Sequence, residues 1–183
     1  MGLATQEKEI RKAWRGSPML VPRIEKVVVN MSVGRSGETL EKAMKILEEI
    51  TGQKPCVRRA KRTIKSFNIG RGEAIACLVT LRRKRAEDFL KRSLEAVGNK
   101  LSRRGFDRQG NVSFGIREHI EIPGVKYDPE LGIFGMDVSI SLKRPGFRIK
   151  RRRVGRSKVG AGHTVSPLEG MLFMKERFGV EIA

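Results

Sequence analysis

The residues of this chain best suited to proton transfer near neutral pH are its two histidines, His119 and His163. Neither has a Ser, Cys or carboxylate partner at the spacing of a catalytic motif. The two cysteines, Cys56 and Cys77, have no other Cys or His close by, so their spacing fits neither a zinc motif nor a disulfide framework. No Walker A, GxSxG or HExxH string is present. The sequence therefore predicts a protein that is not an enzyme and that needs no metal and no cofactor.

The charge of the chain is more informative than its few reactive groups. The 183 residues include 39 Lys and Arg against 20 Asp and Glu, which gives a net charge of +19. An excess of this size opposes compaction unless a polyanion neutralises it, and nucleic acid is a more common polyanion than an anionic membrane surface. At 39% hydrophobic residues the chain can still build a core, and it has no apolar run of the length of about 18 residues that spans a membrane.

The cations gather in three segments that contain no acid. Residues 54–71 hold seven, residues 82–85 are all basic, and residues 143–158 hold nine. Such segregation is typical of phosphate binding and predicts an affinity that falls steeply with salt. Aromatic residues are only 5% of the chain and none forms the aromatic string of an RRM, so the sequence favours recognition of phosphate and shape over base stacking.

Hydrophobic periodicity indicates which elements position these cations. It predicts helices over 4–15, 40–50 and 86–101, and a last helix that begins at the capping box of residues 166–169 and ends at Gly179. It predicts strands over 23–33, 74–81, 112–122 and 136–142, with short extended pieces at 55–57 and 63–67. Because the order contains no repeated βαβ unit, we expect an α+β fold with a mainly antiparallel sheet.

The same pattern divides the chain into three parts. Residues 1–22 are expected to be an N-terminal helix and linker, and residues 23–142 an α+β core. Residues 143–183 are expected to form a basic, extended C-terminal arm followed by a short final helix, since glycines recur through the basic run.

Several strings in the core resemble one known family. They are KVVVNMSVG at 26–34, ITGQKP at 50–55, FDRQGN at 106–111, GIRE at 115–118 and GMD at 135–137. In this order they resemble the fifth large-subunit ribosomal protein, the family that binds 5S rRNA, over roughly residues 23–142. RPGF at 144–147 and GAGH at 160–163 resemble the archaeal and eukaryotic branch, and the sequence of this tail is most similar to archaeal members.

The resemblance implies a fold, a location and a set of partners. It implies an antiparallel sheet with helices packed on one face, in a cytoplasmic, ribosome-bound protein. The protein would lie in the central protuberance of the large ribosomal subunit, beside neighbouring ribosomal proteins. It would bind 5S rRNA and large-subunit rRNA, extend one basic loop toward the P-site tRNA, and have no membrane partner.

The resemblance also implies which residues meet 5S rRNA. By position, Asn30, Gln53 and Thr80 would be direct contacts, because an amide or hydroxyl can hydrogen-bond base edges, phosphates or the 2′-OH. The cations expected to support them are Lys54, Arg58, Arg59, Lys61, Arg62 and Arg82. Without the resemblance, the sequence favours Asn30 as an ordinary strand-end residue and Thr80, more strongly, as an ordinary strand residue, whereas Gln53 is equally an exposed turn residue.

Two further groups complete the expected RNA-binding surface. The tRNA-facing loop maps to residues 65–73, with Lys65, Asn68, Gly70, Arg71 and Gly72 as its candidate residues. The alternative for this loop is a flexible basic hairpin with no fixed partner. The rRNA-binding residues expected in the arm are Arg144, Arg148, Lys150, Arg151, Arg152, Arg153, Arg156 and Lys158.

Two other classes of protein remain as alternatives to a ribosomal protein. A general basic RNA- or duplex-binding protein outside the ribosome would carry the same charge. An RNA-modifying enzyme would need a cofactor loop or a metal cluster, and the sequence offers neither.

Overall fold

Helices and strands alternate irregularly in the computed structural model, which describes residues 3–183. The helices are α1 (Leu3–Gly16), α2 (Glu38–Thr51), α3 (Arg83–Ala96) and α4 (Pro167–Phe178). The strands are β1 (Arg23–Ser32), β2 (Cys56–Arg59), β3 (Ala74–Leu81), β4 (Lys100–Leu101), β5 (Val112–Ile116), β6 (Met136–Lys143) and β7 (Glu181–Ile182). Five of these strands form one sheet in the order β2-β3-β1-β6-β5, in which β3 pairs antiparallel with both β1 and β2. The predicted α+β class with an antiparallel sheet is confirmed.

The alternation of side chains along β1 explains how the sheet joins the core. Val27, Val29 and Met31 are at most 1% exposed, whereas Val28 and Asn30 between them are half-buried. Successive side chains of a strand point to opposite faces, so one face of β1 is fully buried and the other remains partly open. Helix α2 packs against β3 and buries five residues of its own apolar stripe: Leu40, Ala43, Ile46, Leu47 and Ile50.

The chain divides into two compact units. One contains Val27–Gly98 and Phe114–Ser139, and therefore α2, β2, β3 and α3. The other contains the residues up to Lys26 together with Asn99–Ser113 and Ile140–Ala183, and therefore α1, α4 and the small parallel pair of β4 and β7. The division of the sequence at residues 22 and 142 stays a prediction.

Helix α4 begins where the capping box predicts. The Ser166 hydroxyl accepts a hydrogen bond from the Glu169 N–H (3.3 Å), and the Glu169 carboxylate accepts one from the Ser166 N–H (2.8 Å). One turn into the helix, Gly170 lies against the backbone of Gly110, where a Cβ on Gly170 would come within 2.4 Å of the Gly110 carbonyl oxygen. Only glycine allows so close an approach of helix and turn.

The helix predicted over 86–101 is too long at its C-terminal end. Helix α3 ends at Ala96, because Gly98 and Asn99 both adopt left-handed backbone conformations, with φ of 66° and 56°. Leu101, which continues the apolar spacing of the helix, instead lies in β4 and is 2% exposed. The apolar spacing thus predicted correctly that Leu101 is buried, and wrongly that it lies in a helix.

Three segments predicted to be extended contain 3₁₀ turns. Residues Lys65–Phe67 form a 3₁₀ turn inside an Ile64–Ile69 bridge, which replaces the extended piece predicted at 63–67. Strand β5 ends at Ile116, and the rest of the predicted strand contains the 3₁₀ turn His119–Glu121. The basic run after β6 contains the 3₁₀ turn Phe147–Lys150, whose backbone turns locally because Gly146 precedes it. None of the described helices has the length and apolar character needed to cross a membrane.

Candidate nucleic-acid interface

The open face of the sheet carries two of the polar residues predicted to contact RNA. Strand pairing places Val28 opposite Thr80 and Asn30 opposite Leu78. Directly opposite residues of antiparallel strands lie on the same face, so Asn30 and Thr80 share the face that α2 does not cover. Strand β2 pairs with the other edge of β3 and extends this face, because Arg58 lies opposite Ala76.

Gln53 joins this face from outside the sheet. It follows Gly52, at which α2 ends, and its Nε2 donates a hydrogen bond to the backbone oxygen of Thr80 (3.4 Å). The Asn30 Nδ2 donates to the Ser32 hydroxyl (2.9 Å), which leaves the Asn30 side-chain oxygen able to accept. The structure therefore places Asn30 and Thr80 on one face, the polar face, which they share with Val28 and Leu78, and it places Gln53 at the edge of this face beside Thr80.

Cations are present on this face and in the segments that continue its strands, since Arg58 lies opposite Ala76 and Arg82 follows the end of β3. All six predicted here are exposed: Lys54, Arg58, Arg59, Lys61, Arg62 and Arg82. Within residues 3–183, none of them forms an ion pair with a carboxylate. A guanidinium without a carboxylate partner keeps its donors available for phosphate oxygens, so these cations are suited to a polyanion.

The predicted tRNA-facing loop is closed by a small polar network centred on Glu73. One Glu73 carboxylate oxygen accepts from the Gly70 N–H (2.9 Å) and the other from the Ser36 hydroxyl (3.0 Å). These hydrogen bonds, led by that of Gly70, hold the pKa of Glu73 below its ordinary value. The Arg71 N–H donates to the Thr63 hydroxyl (3.1 Å). This network orders the backbone of the loop.

The outer surface of this loop is both basic and apolar. Lys65, Asn68 and Arg71 are exposed, and beside them Ile64 is 43% and Phe67 70% exposed. Sequence reasoning did not single out Phe67, although an apolar residue inside an acid-free basic run is the signal that could have done so. An exposed aromatic ring among cations offers a stacking surface in addition to charge.

The basic segment after β6 uses its cations in two ways. Arg144 is 4% exposed, pairs with the Glu169 carboxylate and donates to the Gly162 carbonyl oxygen (3.1 Å). Arg151 pairs with Glu25, whose side chain is 6% exposed. The other predicted arm residues are exposed: Arg148, Lys150, Arg152, Arg153, Arg156 and Lys158. Two of the eight predicted residues thus bind carboxylates of the same chain.

The side chains with catalytic potential have structural surroundings. His119 is 2% exposed, and its Nδ1 accepts a hydrogen bond from the Phe134 N–H (3.3 Å). Burial lowers the pKa of His119 and therefore favours the neutral ring. Burial also raises the pKa of the Cys77 thiol to about 11. Within the described part of the chain, no three His, Cys, Asp or Glu side chains are grouped as a metal site would require.

Comparison with known proteins identifies the family of this chain. Residues 17–69 match the family model described as "Ribosomal protein L5", and residues 74–172 match the model that describes the C-terminus of the same ribosomal family. The chain is 54% identical over 173 residues to "Large ribosomal subunit protein uL5" of Aeropyrum pernix, covering 94% of this chain and 90% of that protein. It is 53% identical over 167 residues to the protein of the same name from Sulfurisphaera tokodaii, covering 91% and 94%.

These matches define the class of the protein. The chain belongs to the ribosomal protein L5 family. It is a structural protein of the large ribosomal subunit, and the prediction that it is not an enzyme is confirmed by this membership. A further relative, from Methanococcoides burtonii, is 46% identical over 166 residues, covering 91% of this chain and 98% of that protein. The resemblance to archaeal members of the family is therefore confirmed as well.

Proposed function

We propose that this protein binds 5S rRNA through the open face of its sheet and anchors it to large-subunit rRNA in the central protuberance. The observation that carries the proposal is the placement of Asn30 and Thr80 on the polar face with Gln53 at its edge, together with exposed cations, Arg58 on the face itself among them, that have no carboxylate partner among the described residues. The protein acts in the cytoplasm as part of the ribosome, beside neighbouring ribosomal proteins.

The two kinds of residue have different tasks on this face. The cations neutralise phosphates and release counterions, which supplies most of the affinity but little information about sequence. Asn30, Gln53 and Thr80 offer oriented donors and acceptors to base edges and 2′-hydroxyls, and so fix the position of the RNA. Half-burial of these three side chains limits their rotamers, so less entropy is lost on binding.

The remaining basic segments extend the contact surface. The loop of residues 65–73 reaches toward the P-site tRNA, and the Glu73 network supports this by holding the loop in one backbone conformation before tRNA arrives. The exposed cations of residues 148–158 bind large-subunit rRNA. Family membership and the exposure of these cations support both assignments.

Competition binding tests the main assignment. Purified protein is mixed with labelled 5S rRNA at moderate salt and challenged with a large excess of duplex DNA or of an unrelated structured RNA. We expect 5S rRNA to stay bound, because the polar face recognises more than phosphate. Equal displacement by either competitor would instead identify a general basic RNA- or duplex-binding protein.

A further inference from the structure

A cavity of about 590 Å³ lies where the basic segment after β6 folds back beside Val165. Its floor is apolar: Leu142 and Val165 are 4% and 2% exposed, and the half-buried ring of Phe147 forms one wall. This volume falls within the range of about 300–1,000 Å³ typical of ligand sites. The floor offers flat and aliphatic surface of the kind that an unstacked base needs.

The rim of the same cavity is cationic. Lys150, Arg156 and Lys158 all line it, all three are exposed, and no acidic residue is among the lining side chains. The cavity therefore combines an apolar interior with an anion-binding edge. A polyanion with a flat apolar part fits this combination, whereas a purely apolar ligand leaves three cations without counter-charge.

Local hydrogen bonds give the cavity its shape. The Ser157 N–H donates to the Ile149 carbonyl oxygen (3.1 Å), which folds residues 150–157 into a closed turn. His163 bonds through Nε2 to the Pro145 carbonyl oxygen (2.8 Å), and its ring lies 6.0 Å from that of Phe147 at 59°. The Phe147 ring is thus held on one side by His163, which fixes the orientation of that wall.

We propose that this cavity binds one unpaired nucleotide of large-subunit rRNA, with the base against Phe147 and the apolar floor and the phosphates at Lys150, Arg156 and Lys158. The proposal rests on the proposed function, because it takes rRNA as the partner of the basic segment and adds a base-recognising site to it. Charge complementarity and the mixed lining favour a nucleotide over an acidic peptide, and the proposed function makes rRNA the source of that nucleotide.

Fluorescence with the full-length protein tests the site. The probe is a single-stranded RNA octanucleotide with one 2-aminopurine, an adenine analogue whose emission falls when it stacks. We expect binding with loss of emission, and a roughly tenfold weaker complex with little loss of emission for Phe147→Leu. Ser157→Leu fills the cavity from an exposed position and should act in the same way, which guards against a folding defect in the first variant. Phe178→Leu, at another half-buried ring, is the matched control and should behave as the unaltered protein.

Each outcome decides a separate question. If Phe147→Leu and Ser157→Leu bind and quench the probe as well as Phe178→Leu does, the nucleotide site is wrong. If hexaglutamate displaces the probe and adenosine monophosphate does not, the cavity is a site for acidic peptides and the proposal fails. All variants are also titrated with 5S rRNA, which should bind as before. If the unaltered protein does not bind 5S rRNA, the proposed function is wrong, whatever the result for the cavity.

Discussion

The basic segments 54–71 and 143–158 look alike in sequence but differ in how they are held. All seven cations of the first are exposed and, within the described residues, unpaired with carboxylates, while the loop is closed by backbone hydrogen bonds and Glu73. In the second, Arg144 and Arg151 pair with the largely buried carboxylates of Glu169 and Glu25. The first segment keeps its charge for a partner, and the second uses part of its charge to fold.

This difference separates stability from binding. A largely buried carboxylate that loses its cation remains desolvated with its charge uncompensated, so removal of Arg144 penalises the folded state. Substitution of an exposed cation in the first segment changes the stability of the folded state little, because that cation has no carboxylate partner there. It does, however, remove a phosphate contact. Substitution of the anchoring arginines in the second segment should therefore lower stability, whereas substitution of cations in the first segment should weaken RNA binding.

The largest effect is expected from Arg144→Ala. It leaves the largely buried Glu169 carboxylate with the Ser166 N–H but without its cation, and we expect the free energy of unfolding to fall by about 3 kcal/mol. Urea unfolding followed by circular dichroism measures it. Arg148→Ala, at an exposed cation of the same segment, is the control and should change stability by less than about 0.5 kcal/mol. Equal losses in both variants would remove the distinction between anchoring and exposed cations.

The next effect concerns the salt dependence of RNA binding. In the triple variant Arg58→Gln, Arg59→Gln, Arg62→Gln, the slope of log affinity for 5S rRNA against log salt should flatten by about two to three units, at about 0.7–0.9 per phosphate. Filter binding at several salt concentrations gives the slope. Urea unfolding of the triple variant should match the unaltered protein, and an unchanged slope would show that these cations do not meet phosphate.

A smaller effect is expected from Asn30→Ala. Loss of one amide should weaken 5S rRNA binding by about 1 kcal/mol, or several-fold, and leave the salt slope unchanged, because no charge is removed. Titrations at two salt concentrations separate the two quantities. Thr39→Ala, at an exposed position of α2, is the control. If Asn30→Ala changes the slope as the triple variant does, the polar residues and the cations do not have the separate roles proposed for them.

The smallest effect concerns Glu73 and pH. The pKa of this carboxyl is lowered in the folded protein, so its stabilisation of the loop is complete above the ordinary value of 4.5 and is lost as pH falls through the lowered pKa. Between pH 7 and 5 we therefore expect no change. The Gly70 amide, followed by NMR, should titrate only below that value, and Glu73→Gln should disturb it already at pH 7. A pH-dependent change of the Gly70 amide signal near neutral pH would contradict the hydrogen bond between this amide and the ionised Glu73 carboxylate.

The sequence predicted regular elements best where local signals and packing agree. The limits of β3 and the capping box of α4 came directly from residue order, because alternation and an N-cap pair are local patterns. The end of α3 was wrong because apolar spacing continues to Leu101, while the left-handed Gly98 and Asn99 decide the backbone. Apolar spacing reports burial, and burial in β4 looks the same in sequence as burial in a helix.

The site was predictable in composition and not in geometry. The exposed cations follow from their numbers and clustering alone. That Asn30 and Thr80 share a face needs the strand register, and that Arg144 points inward needs Glu169, 25 residues further along the chain. No periodicity links residues so far apart, so the sequence could not distinguish an anchoring arginine from its exposed neighbours.

The contact between Gly170 and Gly110 limits which substitutions this region can accept over time. Any larger residue at position 170 moves α4 outward, and Glu169, the residue before it, moves with the helix away from Arg144. A single methyl group at this point would thus loosen an ion pair that it never touches. Lineages that keep the arginine are for this reason expected to keep the glycine, and to lose the two together.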